Sequence, residues 1–499
     1  MGFTQIHGRS MYRLMSICCS LSFCLYGYDA GVLGGVQNTK PFLDALGNPT
    51  GTYVIPMVAS SYVLAATVCS VGVMFFGMNL GRRMCIILGN VCVIIGSAIQ
   101  ASAMGVPHII VGRIVCGFGI GFISSTSPTY MAEMSITAAE RGPEVAQQCS
   151  WLIAGIAIAY WIDYGFVQLN NQISWRFPIA FQSFFAILSL AGMIILPDTP
   201  RWYYARGRLA EGDSVLARLH DLPLDSDAVQ QQRTEILTSI EMEEHEENKL
   251  KLMTFIWDNT ELRVGRRIRI SFLILSLQQM MGINMLVYFS TRIFSNIGYS
   301  DNLSQLLAAV MNTGFWIGTI PTIFTIEKFG RRPIMIWTAI VCAASMLLFI
   351  IMIALPNPTL ATQWTAVAGV IVFNFAFGYG WVGCPWLYGP EIAPLKYRHL
   401  GGAAGSTGEW LFSFIAVFAG GIGIETQGWK IWIWQLVACI AIIFFVYYMC
   451  PETSGKSLEE IDMLFARPNP RDATWRAENG SDQSDEKKSA SASEIENSH

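Results

Sequence analysis

Residues 333–354 of this chain are PIMIWTAIVCAASMLLFIIMIA, a run without a charged side chain that directly follows the basic turn Gly330-Arg331-Arg332. A helix needs about 20 mostly apolar residues to cross the hydrocarbon core of a bilayer. Basic residues collect next to such helices on the cytosolic side. This stretch therefore predicts a membrane-spanning helix that begins at a basic turn.

Eleven further segments of similar length and composition occur along the chain. The twelve predicted spans cover residues 14–36, 53–76, 84–104, 107–128, 145–167, 175–196, 268–290, 303–326, 333–354, 362–388, 401–424 and 429–450. Six of them lie within residues 14–196 and six within residues 268–450. The sequence thus predicts an all-α membrane protein with twelve transmembrane helices in two six-helix halves.

The charged residues lie mainly outside these two halves. Residues 1–13, 197–267 and 451–499 carry 43 of the 68 Lys, Arg, Asp and Glu side chains. In residues 197–267 the alternation of apolar and charged residues predicts a few short surface helices. The tail from about residue 469 is rich in Ser, Asp, Glu and Asn, a composition that predicts disorder.

Composition excludes several classes of protein. The chain of 499 residues is 53% hydrophobic and 14% charged, whereas soluble domains carry about 25% charged residues. A soluble enzyme, a nucleic-acid-binding protein and a secreted disulfide scaffold are therefore excluded. All 12 cysteines fall inside the two halves without a CxxC motif, so neither a metal nor a cofactor is expected. The net charge of -4 implies no charged partner, and we expect a monomer surrounded by lipid.

The two halves repeat the same motifs at similar places. Gly81-Arg82-Arg83 recurs as Gly330-Arg331-Arg332, Glu133 recurs as Glu391, and Pro197-Asp198-Thr199 recurs as Pro451-Glu452-Thr453. The offsets are 249, 258 and 254 residues. A duplicated set of six spans is typical of transporters in which the two repeats enclose a site near the midplane of the bilayer.

The distribution of basic residues predicts the orientation. One side carries Arg9, Arg13, Arg82, Arg83, Arg141, Lys328, Arg331, Arg332, Lys396 and Arg398, and the other side carries Lys40, Arg176, Arg292 and Lys430. The positive-inside rule places the first set in the cytosol, together with both termini and the 197–267 loop. We expect a multi-pass protein of the plasma membrane.

Ordered motifs from about Leu21 to Ala466 resemble the sugar porter family of the major facilitator superfamily. They are Tyr26-Gly27-Tyr28-Asp29, Gly112-Arg113, Glu140-Arg141-Gly142, Pro197-Asp198-Thr199-Pro200-Arg201-Trp202, Gln278-Gln279 with Gly282-Ile283-Asn284, Glu327-Lys328-Phe329-Gly330-Arg331-Arg332, Pro390-Glu391 and Pro451-Glu452-Thr453. Ala159-Tyr160-Trp161-Ile162-Asp163-Tyr164-Gly165 is most similar to the fungal branch that includes glycerol-proton symporters. The resemblance implies transport of a sugar or polyol by alternating access within the major facilitator fold.

Two charges within the spans are candidates for proton coupling. Asp29 lies 7 residues before the outer end of span 1, and Arg113 lies 6 residues after the outer start of span 4. Both are ~9 to 11 Å below the outer boundary, so they can meet at one depth. The resemblance implies that Asp29 takes up the proton and that Arg113 controls how tightly Asp29 holds it until substrate binding disturbs the pair. A purely structural ion pair is the alternative.

Polar side chains near the midplane are candidates for substrate binding. Gln278 and Gln279 lie ~15 Å from the inner boundary, and amides can donate to and accept from hydroxyl groups. The resemblance adds Asn284 and the stacking face of Trp381. The alternative for the glutamines is a role in holding helices together, and for Trp381 it is packing.

The chain departs from the family pattern at two further positions, one in span 8 and one in span 5. Phe315 and Cys149 stand where an asparagine and a glutamine are usual, so Asn312 and Gln148 are the nearest replacements. A smaller or less hydroxylated substrate is therefore favoured.

Glu409 is a third charge at membrane depth, ~12 Å from the inner boundary of span 11. The family usually has asparagine or glutamine there. The carboxylate is predicted to change specificity more than coupling. The alternatives are a second proton site, a partner for a cation, and a protonated, inert group.

A set of charged residues at the inner ends of the spans is predicted to act as a gate. These residues are Arg82, Arg83, Glu133, Arg141, Glu327, Arg331, Arg332, Glu391 and Arg398. They are expected to form ion pairs that hold the inner ends together in the outward-open state. Asp163, near the outer end of span 5, is interpreted as solvated, and GxxxG at residues 27–31 and 117–121 as packing surfaces.

The leading hypothesis is a proton-coupled symporter for a neutral sugar or polyol. A passive facilitator and a nutrient sensor on the same scaffold are the alternatives. No span carries catalytic residues at motif spacing, so an enzyme is not expected.

Overall fold

The computed structural model describes residues 6–135, 141–245, 263–393, 398–456 and 458–465. Within these residues all regular secondary structure is helical, and twelve segments are long and apolar enough to cross a membrane. The predicted fold class of twelve transmembrane helices in two halves is therefore confirmed.

The first half contains six spanning helices and one short connecting helix. These are α1 (Gly8–Val36), the short α2 (Lys40–Ala45), α3 (Val54–Leu80), α4 (Arg82–Ala101), α5 (Val106–Met134), α6 (Arg141–Val167) and α7 (Ile173–Ile195). Three helices follow in residues 197–245, the part of the central loop up to its gap in the described residues: α8 (Pro200–Ala205), α9 (Leu209–His220) and α10 (Asp227–His245).

The second half repeats the architecture, but two of its spans are broken into two helices each. Span 7 consists of α11 (Val264–Met280) and α12 (Ile283–Ile297), and span 10 consists of α15 (Leu360–Trp381) and α16 (Cys384–Ile392). The other spans are α13 (Asp301–Phe329), α14 (Arg331–Ala354), α17 (Arg398–Thr426) and α18 (Trp432–Met449), and α19 (Leu458–Phe465) follows them.

The break in span 7 depends on a glycine. Gly282 has φ +91°, in the left-handed region that side chains with a Cβ disfavour. A Cβ at this position would also lie 2.0 Å from the side-chain carbon of the buried Gln435. The break is therefore fixed both by backbone conformation and by the close approach of α18.

The first helix begins earlier than the predicted span. It starts at Gly8, and not near residue 14, because its first turns pack on the central loop. Met11 and Met15 are fully buried in one apolar cluster with Val215 and Leu219 of α9. These methionines extend the helix beyond the length that a bilayer alone requires.

Glycines allow α1 and α6 to approach closely. A Cβ added to Gly27 would lie 1.7 Å from the carbonyl oxygen of Leu152, and one added to Gly155 would lie 2.0 Å from that of Cys24. In the same way, a Cβ on Gly117 would lie 2.3 Å from the carbonyl oxygen of Tyr62 in α3. The interpretation of the two GxxxG motifs as packing surfaces is confirmed.

We predict that Gly155→Val prevents α1 and α6 from packing, whereas Gly165→Val on the same helix has little effect. Gly165 has no atom within 4 Å of an added Cβ. Overpacking of a close contact costs about 1–3 kcal/mol, and more where backbone atoms block relaxation. Size-exclusion chromatography of fluorescent fusions in detergent measures the folded fraction. Equal monodisperse peaks for the two variants would contradict the assigned contact.

Candidate functional site

An ion pair between Asp29 and Arg113 lies inside the first half. Both side chains are fully buried, and Arg113 Nη1 donates to Asp29 Oδ1 over 2.9 Å. The two residues come from α1 and α5, at the common depth that the sequence predicts. Asp29 Oδ2 and the Nε and Nη2 groups of Arg113 have no hydrogen-bond partner within the described part of the chain. The pair therefore retains unused donors and an unused acceptor.

Two tyrosines surround this ion pair, and neither is predicted from the sequence. The guanidinium carbon of Arg113 lies 4.5 Å from the ring centroid of Tyr62 in α3, a cation-π distance. Tyr288 of α12 interacts with Arg113 from the second half. Tyr62 and Tyr288 are separated from the pair by tens to hundreds of residues in sequence, so no local motif could identify them. The ion pair thus lies where the two halves meet.

The amides of span 7 lie at its break. Asn284 Nδ2 donates to Gln279 Oε1 over 2.7 Å and to Ser413 Oγ of α17 over 2.5 Å. Gln278 Nε2 donates over 2.6 Å to the carbonyl oxygen of Trp381, the last residue of α15. Gln278 therefore also links the breaks of spans 7 and 10, a role in holding helices together.

The remaining amide candidates are buried and incompletely paired. Gln148 is 2% exposed, and neither of its amide atoms has a hydrogen-bond partner among the described residues. Asn312 Nδ2 donates to Ala308 of its own helix over 2.9 Å, whereas its Oδ1 has no such partner. Phe315 packs edge-on against Phe377, with ring centroids 6.1 Å apart. This position offers a ring where the family usually offers an amide.

Glu409 lies at the interface of the two halves. Its side chain is 6% exposed, and no cation forms an ion pair with it within the described residues. It interacts electrostatically with Tyr26 of α1 and Cys149 of α6. The next residue, Trp410, lies 5.2 Å from the Tyr26 ring. The carboxylate thus belongs to α17 but faces the first half.

Charged residues form a cluster at the face of the first half that carries Gly81-Arg82-Arg83, here called the basic face. Arg82 Nη2 donates to Glu133 Oε1 over 2.8 Å, and Thr199 Oγ1 donates to Glu133 Oε2 over 2.6 Å. Asp198 accepts the backbone N–H groups of Arg82 and Arg83 and so caps α4. Burial raises the pKa of the Asp198 carboxyl, although these donors and Arg82 act in the opposite direction.

The second half contains an equivalent cluster on the same face. Arg331 Nη2 donates to Glu391 Oε1 over 2.8 Å, and Thr453 Oγ1 donates to Glu391 Oε2 over 2.7 Å. Glu452 accepts the backbone N–H of Arg331 over 3.0 Å and caps α14. Glu327 adds an ion pair to Arg331 over 2.6 Å.

The gate that the sequence predicts for the outward-open state stays a prediction. The described ion pairs connect helices within one half, and Arg83 and Arg332 donate to backbone carbonyls at the ends of α7 and α18. The side chains of Arg141 and Arg398 lie outside the described part of the structure.

Hydrogen bonds connect the two halves at the opposite face. Gln37 Nε2 donates to the carbonyl oxygen of Tyr288 over 2.6 Å, and Thr291 Oγ1 donates to that of Gly34 over 2.7 Å. Gln305 Nε2 donates to the carbonyl oxygen of Gly35 over 2.7 Å. The end of α1 is thereby held against α12 and α13, so this face is closed.

Asp163 is not solvated, and the interpretation from sequence is wrong. Its side chain is fully buried near the end of α6 on the opposite face. The reason is the close approach of α1, because a Cβ added to Gly35 would lie 2.1 Å from Asp163 Oδ2. The sequence signal that could have indicated this burial is the pair of glycines 34 and 35.

Comparison with known proteins identifies relatives over nearly the whole length. A sequence model of the family described as "Sugar (and other) transporter" matches residues 15–465. The chain is 32% identical to the MFS-type transporter oryC of Aspergillus oryzae, with 91% of this chain and 85% of that protein covered. It is 31% identical to the sugar transporter STL1 of Saccharomyces cerevisiae, covering 95% of this chain and 84% of that protein.

A bacterial relative and a solved structure extend the comparison. The arabinose-proton symporter of Escherichia coli is 27% identical, over 91% of this chain and 93% of that protein. The structure of the proton:xylose symporter XylE bound to 6-bromo-6-deoxy-D-glucose superposes with a TM-score of 0.76 at 21% identity. It covers 92% of this chain and 100% of that one. At this identity the superposition shows the shared fold.

We predict that Glu391→Gln destabilises the protein more than Glu327→Gln. Glu391 joins two helices and the 451–456 segment and is 25% exposed, whereas Glu327 is 48% exposed and pairs within one turn. The expected costs are about 1–3 kcal/mol for Glu391 and below about 1 kcal/mol for Glu327. Thermal unfolding of the purified variants in detergent gives the comparison. Equal shifts would show that the two carboxylates are equivalent.

Proposed function

Because the chain belongs to the sugar (and other) transporter family of the major facilitator superfamily, we propose that it is a proton-coupled symporter that imports a neutral sugar or polyol. The observation that carries this proposal is the buried Asp29–Arg113 pair beside the interface of the two halves. Burying a pair of charges costs desolvation free energy, so a charge pair within the spans indicates a functional site. Proton symport is also the activity named for the arabinose-proton symporter among its relatives.

The proposed orientation places the basic face in the cytosol and the closed, opposite face outside. The support is the excess of arginine and lysine in short loops on one side. Both termini then lie in the cytosol, and the plasma membrane is the expected location. The transported solute enters from the opposite face and leaves at the basic face.

In this proposal the proton binds to Asp29. The carboxylate is held by one arginine nitrogen, and Oδ2 remains available for a proton. Protonation removes the negative charge and weakens the attraction to Arg113. Arg113 then shifts its interaction toward Tyr62 and Tyr288, and Tyr288 belongs to the second half. The state of the proton site thereby influences how the halves meet.

The substrate is proposed to bind where the broken helices face the first half. Gln279, Asn284 and Ser413 already form a connected set of donors and acceptors. The proposed binding residues are Gln148, Gln278, Gln279, Asn284, Asn312, Trp381 and Glu409. Amides and a carboxylate match hydroxyl groups, which both donate and accept. Phe315 and Cys149 reduce the number of polar contacts and favour a small solute such as a polyol.

The basic-face clusters are proposed to control the inner gate. Each cluster holds the ends of the helices in its own half, so that each half moves as a unit. Arg82, Arg83 and Glu133 serve the first half, and Glu327, Arg331, Arg332 and Glu391 serve the second. Arg141 and Arg398 are proposed to complete the gate between the halves in the outward-open state.

We predict that Asp29→Asn abolishes accumulation against a gradient and substrate-induced alkalinisation while counterflow continues. The neutral amide cannot exchange a proton, so the internal to external substrate ratio falls to about one. The exposed Asp44→Asn serves as the control. Uptake, pH recording and counterflow in proteoliposomes with glycerol, pentoses, hexoses and disaccharides at two pH values measure these three quantities. Uphill transport by Asp29→Asn would exclude the assigned proton site, and absence of uphill transport by the unmodified protein would indicate a passive facilitator or a sensor.

We predict that Glu409→Gln changes the order of substrate preference more than the proton coupling. A carboxylate only accepts hydrogen bonds when ionised, whereas an amide also donates. The expected change in relative counterflow between two substrates is about tenfold, equivalent to one good hydrogen bond. Glu425→Gln on the same helix, where the carboxylate pairs with Arg292, is the control. An unchanged substrate profile and pH dependence in Glu409→Gln would reject a specificity role.

A further inference from the structure

A second buried carboxyl in the first half has no part in the mechanism above. Asp163 on α6 is fully buried, and neither carboxyl oxygen has a hydrogen-bond partner within the described residues. This distinguishes it from Asp29, which has Arg113. The backbone of α1 covers it, since a Cβ on Gly35 would lie 2.1 Å from Oδ2.

The segment that covers Asp163 also joins the two halves. The carbonyl oxygen of Gly35 accepts from Gln305 of α13, and that of Gly34 accepts from Thr291 of α12. One turn before Asp163, the hydroxyl of Tyr160 donates to the carbonyl oxygen of Val287 in α12. The carboxyl is therefore enclosed at the place where the outer face closes.

The charged groups on the surrounding helices are engaged elsewhere. Tyr28 of α1 and Tyr160 of α6 are the titratable groups that interact electrostatically with Asp163. Three arginines on the nearest helices have other partners: Arg113 of α5 pairs with Asp29, and Arg292 of α12 pairs with Glu425. Arg176 of α7 donates to the carbonyl oxygens of Ala101 and Ala103. The remaining charged groups, Lys40 and Asp44 of α2 and Asp301 of α13, are exposed. Within the described residues, none of these cations forms an ion pair with Asp163.

An ionised carboxylate without a cation or a hydrogen-bond donor is strongly disfavoured in a buried site, whereas a neutral carboxyl is disfavoured far less. We propose that Asp163 is a second proton-binding site, and that it must carry a proton for the outer face to close. Separation of the halves removes α12 and α13 from this segment, admits water and allows the proton to leave. This inference rests on the alternating access of the proposed function, and it adds a proton site independent of Asp29.

A thermal-unfolding experiment tests this site without transport. The purified full chain, Asp163→Asn and Tyr160→Phe are unfolded in the same detergent between about pH 5 and pH 8. A group that prefers its protonated form in the folded state contributes stability at low pH that is lost as the pH rises. The difference in Tm, Asp163→Asn minus the unmodified protein, should therefore increase by about 2 °C or more between pH 5 and pH 8.

Tyr160→Phe is the matched control, because it removes a hydrogen bond of the same closure but no carboxyl. It should lower Tm by a similar amount at every pH. A constant difference between Asp163→Asn and the unmodified protein would overturn the proposal and leave Asp163 a packing residue. Asp163→Ser removes the same ionisable group and replaces Asp163→Asn if that variant does not fold.

Counterflow in proteoliposomes with equal pH on both sides supplies the functional readout. The counterflow rate of the unmodified protein should fall between pH 5 and pH 8, because Asp163 must be protonated for the outer face to close. This fall should be at least about threefold larger than the fall in the rate of Asp163→Asn. Parallel pH profiles would overturn the proposal. If the unmodified protein shows no counterflow with any solute, the proposed transport function fails, and the Tm comparison still decides the proton site.

Discussion

The interior of a bilayer offers no water to a charge, so each ionisable group within a span must either find a partner inside the protein or stay neutral. The pair formed by Asp29 and Arg113 follows from this constraint and joins α1 to α5. The same helix α1 packs tightly against α6, which Gly27 and Gly155 permit. The ion pair, the glycine contact and the interface with the second half thus form one connected arrangement.

The second half is built differently at the same depth. Its amides Gln278, Gln279 and Asn284 lie at a helix break, where the first half has a pair of charges. The break at Gly282 and the end of α15 at Trp381 leave backbone groups without helical partners, and Gln278 satisfies one of them. Unwound backbone is tolerated at membrane depth only where protein or a polar cavity satisfies it. An ion pair in one half therefore faces amide groups at a helix break in the other.

Much of this arrangement could be predicted from the sequence, because its determinants are local. Apolar runs fix the spans, and the repeated Gly-Arg-Arg turns fix the two halves. A helical rise of 1.5 Å per residue places Asp29 and Arg113 at one depth. What could not be predicted depends on contacts between distant segments. The early start of α1 depends on α9, and the burial of Asp163 depends on the glycines of α1. The interaction of Tyr288 with Arg113 joins residues that lie 175 positions apart, and Tyr288 belongs to the helix that follows the break at Gly282.

The repeated clusters of the basic face have a consequence for the order of folding. Directly after the first half, Asp198 caps α4 and Thr199 binds Glu133; directly after the second half, Glu452 caps α14 and Thr453 binds Glu391. Each half is therefore completed by residues that the ribosome adds directly after the last span of that half. The first six helices can assemble as a finished unit while the second six are still being synthesised, and the central loop then connects two units that already hold their own shape.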